Sequence, residues 1–241
     1  MQPRAAQMIA LADNTRQQLC GQHQDIHCRV AAPAILQYRW ASVISRVLSE
    51  QVAQSDSTLT FETAFEQAAL NKLKQGEVHL ALVTDAMLGQ LTPELDYIDL
   101  GELQMQVAVG WTHPLASGGF GDGIQMGVEV SVQVSAEELL LHPFAMPHVS
   151  PFCGEERGLG CDGWQDQLLP RKTGWVVNDY AVLSQLVKSG QAVAYLPDFL
   201  LREWGLVKVG VVGDERRCVE RGVMVFLRDG VDWVRRLSKE I

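Results

Sequence analysis

The chain has 241 residues, 47% of them hydrophobic and 20% charged, enough to bury a sizeable core in one large domain or two small ones. Its net charge is −9, and residues 75–156 carry twelve acidic side chains and no Lys or Arg, which argues against a nucleic-acid surface on this chain. The five cysteines (Cys20, Cys28, Cys153, Cys161 and Cys218) lack the dense spacing of a secreted disulfide scaffold, no apolar run is long enough to span a membrane, and the N-terminus lacks a signal peptide's apolar core; a reduced cytoplasmic location is expected.

Residues 3–20 read as a helix with a thin apolar stripe, Ala5, Met8, Ile9, Ala12, Thr15 and Leu19, which either pairs with a partner or packs as a frayed leading helix. After a polar break at 20–25, residues 26–32 read as a strand. Pro33 follows, and then a helix over about 37–52 with Trp40, Val43, Ile44, Val47 and Leu48 on one face. Residues 59–65 form the next expected strand, 66–75 a helix ended by Gly76, and 78–83 a continuous buried strand, together a β-α-β-α-β run. Thr84 and Asp85 then fall just past a parallel strand's carboxyl end, as do Pro33, Ile35 and Leu36. Ligands of parallel sheets collect at such places, because helix N-terminal N–H groups point there.

Strands are expected at 95–100 and 103–111, before a break at His113-Pro114. The glycines at 119, 121 and 123 imitate a phosphate loop, but no helix opens within them and 128–134 continues as strand-like sequence, so 117–127 reads as a hairpin-like excursion. Ser135-Ala136-Glu137-Glu138 matches a capping box, 143–146 reads as a strand, a loop runs through His148, Ser150 and 153–161, and a short helix is expected near 164–169. Residues 176–197 are the most informative stretch: a β-branched run ends at Asn178 and Asp179, Val182, Leu183, Leu186 and Val187 mark a helix stopped by Gly190, and 192–196 forms a buried strand closed by Pro197. A strand, helix and strand with a short crossover require parallel strands. Asn178, Asp179 and Tyr180 are therefore either ligand-facing or simply the cap of that helix. Further strands are expected at 206–212 and 222–227, with a closing helix from 231.

Catalytic groups are not spaced as in any nucleophilic or paired-carboxylate motif. His142, His148, Cys153 and Cys161 invite a metal reading, but their intervals are not those of a zinc site, and no metal or cofactor is expected. The six tryptophans are scattered through the expected elements and read mainly as core.

The succession Gly76-Glu77-Val78-His79-Leu80-Ala81-Leu82-Val83, then Val107-Ala108-Val109 with His113-Pro114-Leu115-Ala116, then Glu137-Glu138-Leu139 with His142-Pro143-Phe144, then Asp179 with Leu186-Val187-Lys188-Ser189-Gly190 and Ala194-Tyr195-Leu196-Pro197, resembles the effector-binding region of LysR-type transcriptional regulators over about residues 26–228. The resemblance implies an α/β, periplasmic-binding-protein-like (type 2) fold: two α/β subdomains joined by two crossing hinge strands, with a small effector in the cleft. Subdomain I would take 26–104 and 206–241, subdomain II 105–205, and residues 1–20 would be the tail of the linker helix. The family's N-terminal winged helix-turn-helix is not in this sequence, so DNA binding is implied only for a longer, intact protein.

On the same reading the effector would meet Pro33, Ile35, Leu36, Thr84 and Asp85 on one side. Met146, His148, Ser150, Phe152, Asn178, Asp179, Tyr180 and Pro197 would form the other. The ligand is expected to be apolar or aromatic with at most one anionic group, since Arg39 is the one guanidinium near these segments. A homodimer of this fragment is expected, with no membrane partner and no enzymatic activity. Cys153 and Cys161 lie in the region where peroxide-sensing members of the family carry their reactive pair, which leaves redox sensing as an alternative beside a solute-binding protein of the same fold. The solute-binding alternative would call for an export signal, and an enzyme for a nucleophile or cofactor motif.

Overall fold

A computed structural model describes residues 26–51, 57–116, 131–155, 160–213, 218–230 and 234. The expected helix at 3–20, the excursion at 117–127 and, apart from Val234, the closing helix lie outside these residues. The elements run β1 (Ile26–Ala32), α1 (Ala34–Gln51), β2 (Ser57–Thr63), α2 (Glu66–Lys74), β3 (Leu80–Thr84), β4 (Leu95–Val109), β5 (Ser131–Val134), α3 (Ala136–Leu140), β6 (Pro143–Met146), β7 (Lys172–Val176), α4 (Tyr180–Lys188), β8 (Ala194–Pro197), α5 (Asp198–Trp204), β9 (Val207–Val211) and β10 (Val219–Leu227). The chain divides into two units, residues 1–101 with 221–241 and residues 102–220, with β4 and β10 each running through a division point.

In the first unit β1 is flanked by parallel β2 and β3, and β10 joins β3 antiparallel. All five residues of β3 are buried, which is why its sequence reads as an unbroken apolar run. The helix α1 begins at Ala34, directly after Pro33 and earlier than the apolar spacing alone indicates. It buries Ile35, Leu36, Trp40, Ile44, Val47 and Leu48, the residues that recur at helical spacing. Leu70 and Leu73 of α2 pack with Ala81 and Val83 of β3 and with Val223 and Val225 of β10. Each such leucine contributes roughly 1.5–3 kcal/mol by burial.

In the second unit β8 and β9 pair antiparallel with β4, and β5 is parallel to β9. These pairings place β9, residues 207–211, with the second unit, whereas the sequence reading assigned it to subdomain I. The strands β6 and β7 form a separate parallel pair. A parallel bridge from Phe144 to Val193 lies on the other side of β6, so β6 sits between the two strands that the α4 crossover connects. Ser135 Oγ accepts the Glu138 N–H at 3.1 Å, as the capping pattern requires.

Three local expectations are corrected. The stretch 95–109 is one strand that runs through Gly101, which adopts φ 95°, a conformation a glycine takes without strain. No helix forms at 164–169; turns occupy it, pinned by Arg171 to Asp162 and Asp166. A helix, α5, follows Pro197, which caps it rather than ending the ordered segment, and a left-handed Gly205 closes it.

Candidate functional site

In the first unit the site residues fall at the carboxyl ends of two adjacent strands. Parallel pairing of Val30 with Leu80 and Ala31 with Ala81 sets the end of β1 beside the end of β3, which brings Pro33 near Thr84 and Asp85. Pro33 O accepts the Leu36 and Gln37 N–H groups at 3.0 Å each. Gln37 Nε2 donates to Ala32 O at 2.8 Å and Thr63 Oγ1 at 3.2 Å, tying the turn to β2.

The side chains of Ile35 and Leu36 are fully buried and belong to the core, because α1 starts so early that both face inward. What the turn presents outward is Ala34, with the backbone N–H groups of Ala34 and Ile35 ahead of those committed to Pro33 O, at the start of an 18-residue helix with no acidic residue in its first turn. Asp85 is exposed. Thr84 is buried, and both its N–H and its hydroxyl donate to Glu66 Oε1, each at 2.6 Å. Its proton is committed, so toward any other group Thr84 acts as an acceptor. Sequence reasoning missed Glu66: eighteen residues separate it from Thr84, and only its place at the start of a helix marks it.

In the second unit the ends of β6 and β7 meet in register, Met146 opposite Val176, and Val177 N donates to Met146 O at 2.8 Å. His148 N donates to Asn178 Oδ1 at 2.8 Å, leaving the Asn178 amide NH2 as a donor. Asp179 Oδ1 accepts the N–H groups of Ala181 at 2.8 Å and Val182 at 3.0 Å, so it is the N-cap of α4 and occupies donors that a ligand carboxylate would otherwise use. His148, Asn178, Asp179 and Tyr180 thus lie together at these strand ends, while the Met146 side chain is buried in the core.

Tyr180 is half-buried and packs against Trp204 with ring centroids 6.4 Å apart. Burial, with Asp162 and Cys161 adding, holds its phenol above the usual range. Ser150 and Phe152 are both buried in the following turn, where Ser150 Oγ accepts the N–H groups of Phe152 and Cys153 at 3.4 Å. Pro197 is placed differently, on β8 opposite Met105.

The cysteines are unequal. Cys161 is buried, its thiol donates to Pro147 O at 2.9 Å, and burial with Asp162 beside it pushes its pKa up to about 11. Cys153 is half-buried. Cys161, buried and beside Asp162, does not lie in the electropositive setting that makes a reactive thiolate. Among the described residues no helix is long and apolar enough to cross a membrane.

A family model described as the LysR substrate binding domain matches residues 22–230. Among solved structures the chain is similar to full-length LysG of Corynebacterium glutamicum with bound effector Arg, at 16% identity and a TM-score of 0.64, covering 100% of this chain and 74% of that one. It is also similar to the regulatory domain of the LysR family regulator MetR of N. meningitidis, at 15% identity and 0.57, covering 89% and 91%. A third is the probable transcriptional regulator PA0477 of Pseudomonas aeruginosa, at 15% identity and 0.65, covering 98% and 73%. No curated protein matches the chain in sequence.

Proposed function

The chain belongs to the LysR substrate binding domain family, and from that premise we propose that it senses a small effector at its strand ends and so controls the transcriptional regulator of which it is the regulatory domain. The observation that carries this reading is the pair of parallel strand-to-helix turns, one opening α1 and one opening α4, each with polar groups at the strand ends. Each unit is proposed to carry its own candidate effector groups: Ala34 and the backbone N–H groups of Ala34 and Ile35 with Asp85 and Thr84 on the first, and His148, Asn178 and Tyr180 on the second.

The effector is proposed to be small, largely apolar or aromatic, with at most one anionic group. No Lys or Arg occurs at 33–36, 84–85, 146–152 or 178–180, while Asp85 and Asp179 repel further negative charge. The place for one carboxylate is the start of α1, because the donors at the start of α4 are already taken by Asp179. Ligand acts by binding two arrangements of the regulator with different affinity.

The intact regulator is proposed to work in the cytoplasm as a homodimer or higher oligomer, with DNA held by a segment other than this acidic chain. A thermal-shift screen with metabolites tests the reading, since a ligand at one hundred times its dissociation constant stabilises by about 2.7 kcal/mol.

A further inference from the structure

The second unit holds a cavity of about 110 Å³ that none of the site residues read from the sequence lines. Its floor is a row of side chains in register across the sheet, since Val107 pairs with both Tyr195 and Val209, with Met105 two residues further along β4. Its roof is Trp164 and Leu169. The Trp164 indole N–H donates to Leu169 O at 2.8 Å, and its ring lies edge-on to Tyr195 at 5.2 Å. That roof cannot settle onto the floor, because the segment carrying it is held at both ends by the buried Arg171 guanidinium, bonded to Asp162 and Asp166. The cavity is therefore preformed, the condition under which apolar sites bind without first being opened.

The chemistry of the lining selects the ligand. Among the described residues no acidic, basic or histidine side chain lines it, and the polar side chains there are the amides of Gln106 and Gln165, the hydroxyl of Tyr195 and the thiol of Cys218. A charged ligand would lose its hydration with no counter-charge in return, whereas one hydroxyl or carbonyl could be met by an amide. The volume is below the roughly 150 Å³ of a closed apolar cavity that accepts benzene, but this cavity opens to solvent beside the exposed Gln165, so it can take one ring with its polar substituent at the mouth and no more. Cys218 marks the site: a Cβ on Gly163 would stand 2.6 Å from its sulfur, so the roof backbone rests against the thiol.

We propose that the second unit carries a separate ligand site, beneath Trp164 and beside Cys218, for a small uncharged molecule built on a single ring, as in a phenol. The inference does not depend on the strand-end effector site.

Alkylation of Cys218 in the whole chain, followed by peptide mass spectrometry with and without phenol, tests it, with Cys153 as the internal reference. Saturating phenol should slow labelling of Cys218 by about tenfold without slowing Cys153, as occupancy of the cavity requires. Benzoate, with the same ring and a charge, should not. Val211→Phe, which fills the cavity, and Gln165→Trp, which covers it from an exposed position, should each abolish the protection; if the former does not fold, the latter decides. Unchanged Cys218 labelling in phenol, equal protection by benzoate, or protection that survives Gln165→Trp would overturn the proposal.

Discussion

The Arg171 guanidinium meets the Asp162 carboxylate through two parallel hydrogen bonds, Nη1 to Oδ2 at 2.7 Å and Nη2 to Oδ1 at 2.9 Å, with both side chains buried. Asp166 takes Nε and Nη2 at 3.1 Å each, and the cation also lies 5.8 Å from the ring centres of Phe144 and Trp164. Removing one partner from such a cluster leaves buried charge uncompensated. Arg171→Met should therefore lower the unfolding free energy by about 3–5 kcal/mol in a urea titration. Arg171→Lys should recover only part, because an ammonium cannot fill the planar fork. A loss below about 1 kcal/mol for Arg171→Met would show that the cluster does not hold this segment.

Stability should also depend on pH through His113. Its ring is buried against His142, with centroids 4.7 Å apart, and its Nδ1 accepts the Leu115 N–H at 3.2 Å. Burial first, and then His142, push its pKa down to about 4 from the usual 6.5. The folded state is thus the proton-poor one between these values, so the unfolded chain takes up the extra proton and stability falls as pH drops from 6.5 to 4. The contribution is present in full above pH 6.5 and amounts to at most about 3 kcal/mol. Unfolding midpoints across this interval should flatten in His113→Asn, and an unchanged slope would contradict the assignment.

Redox sensing through Cys153 and Cys161 is disfavoured by the setting of Cys161. Alkylation should reach Cys153 before Cys161, and peroxide should leave no disulfide between them, because the Cys161 thiol is buried and holds its proton up to about pH 11. Mass spectrometry showing a linked Cys153–Cys161 peptide after mild peroxide would reverse this reading.

Large apolar side chains remain exposed on both units, Tyr38 and Tyr97 on the first and Leu141 and Val212 on the second. A homodimer is expected to cover part of this surface. Light scattering at concentrations on the order of tens of micromolar should give twice the chain mass, the range in which an interface of ordinary size persists. A monomeric mass would count against it.

What could be read in the sequence was whatever local chemistry decides. Asn178-Asp179 before an apolar face marked a helix start, and Asp179 is the N-cap observed; the Ser135 box behaves the same way. Residues 78–83 announced a buried strand by composition alone, and the strand observed is Leu80–Thr84. The failures share another cause. The spacing of Trp164, Leu168 and Leu169 imitates a helix, but the Arg171 cluster fixes turns there through partners that propensity does not weigh. Residues 198–204 carried legible signals in Asp198, Arg202 four residues on and the closing Gly205, which were lost because Pro197 was read as a terminus. Ile35 and Leu36 were assigned to a ligand, and only the actual start of α1 shows that their side chains serve the core. Glu66 with Thr84 depended on tertiary placement and left no local trace.

The central claim, a single effector of low charge held at the strand ends, is tested most directly by calorimetry of the chain against aromatic monoacids, neutral metabolites and di- or tricarboxylates. Tightest binding should come from a neutral or monoanionic compound. It should weaken about tenfold in Asn178→Ala, which removes one donor worth about 1.4 kcal/mol to a charged or strongly polar group, and stay unchanged in Arg39→Ala. Tightest binding by a polyanion, weakened by Arg39→Ala and indifferent to Asn178→Ala, would contradict the account.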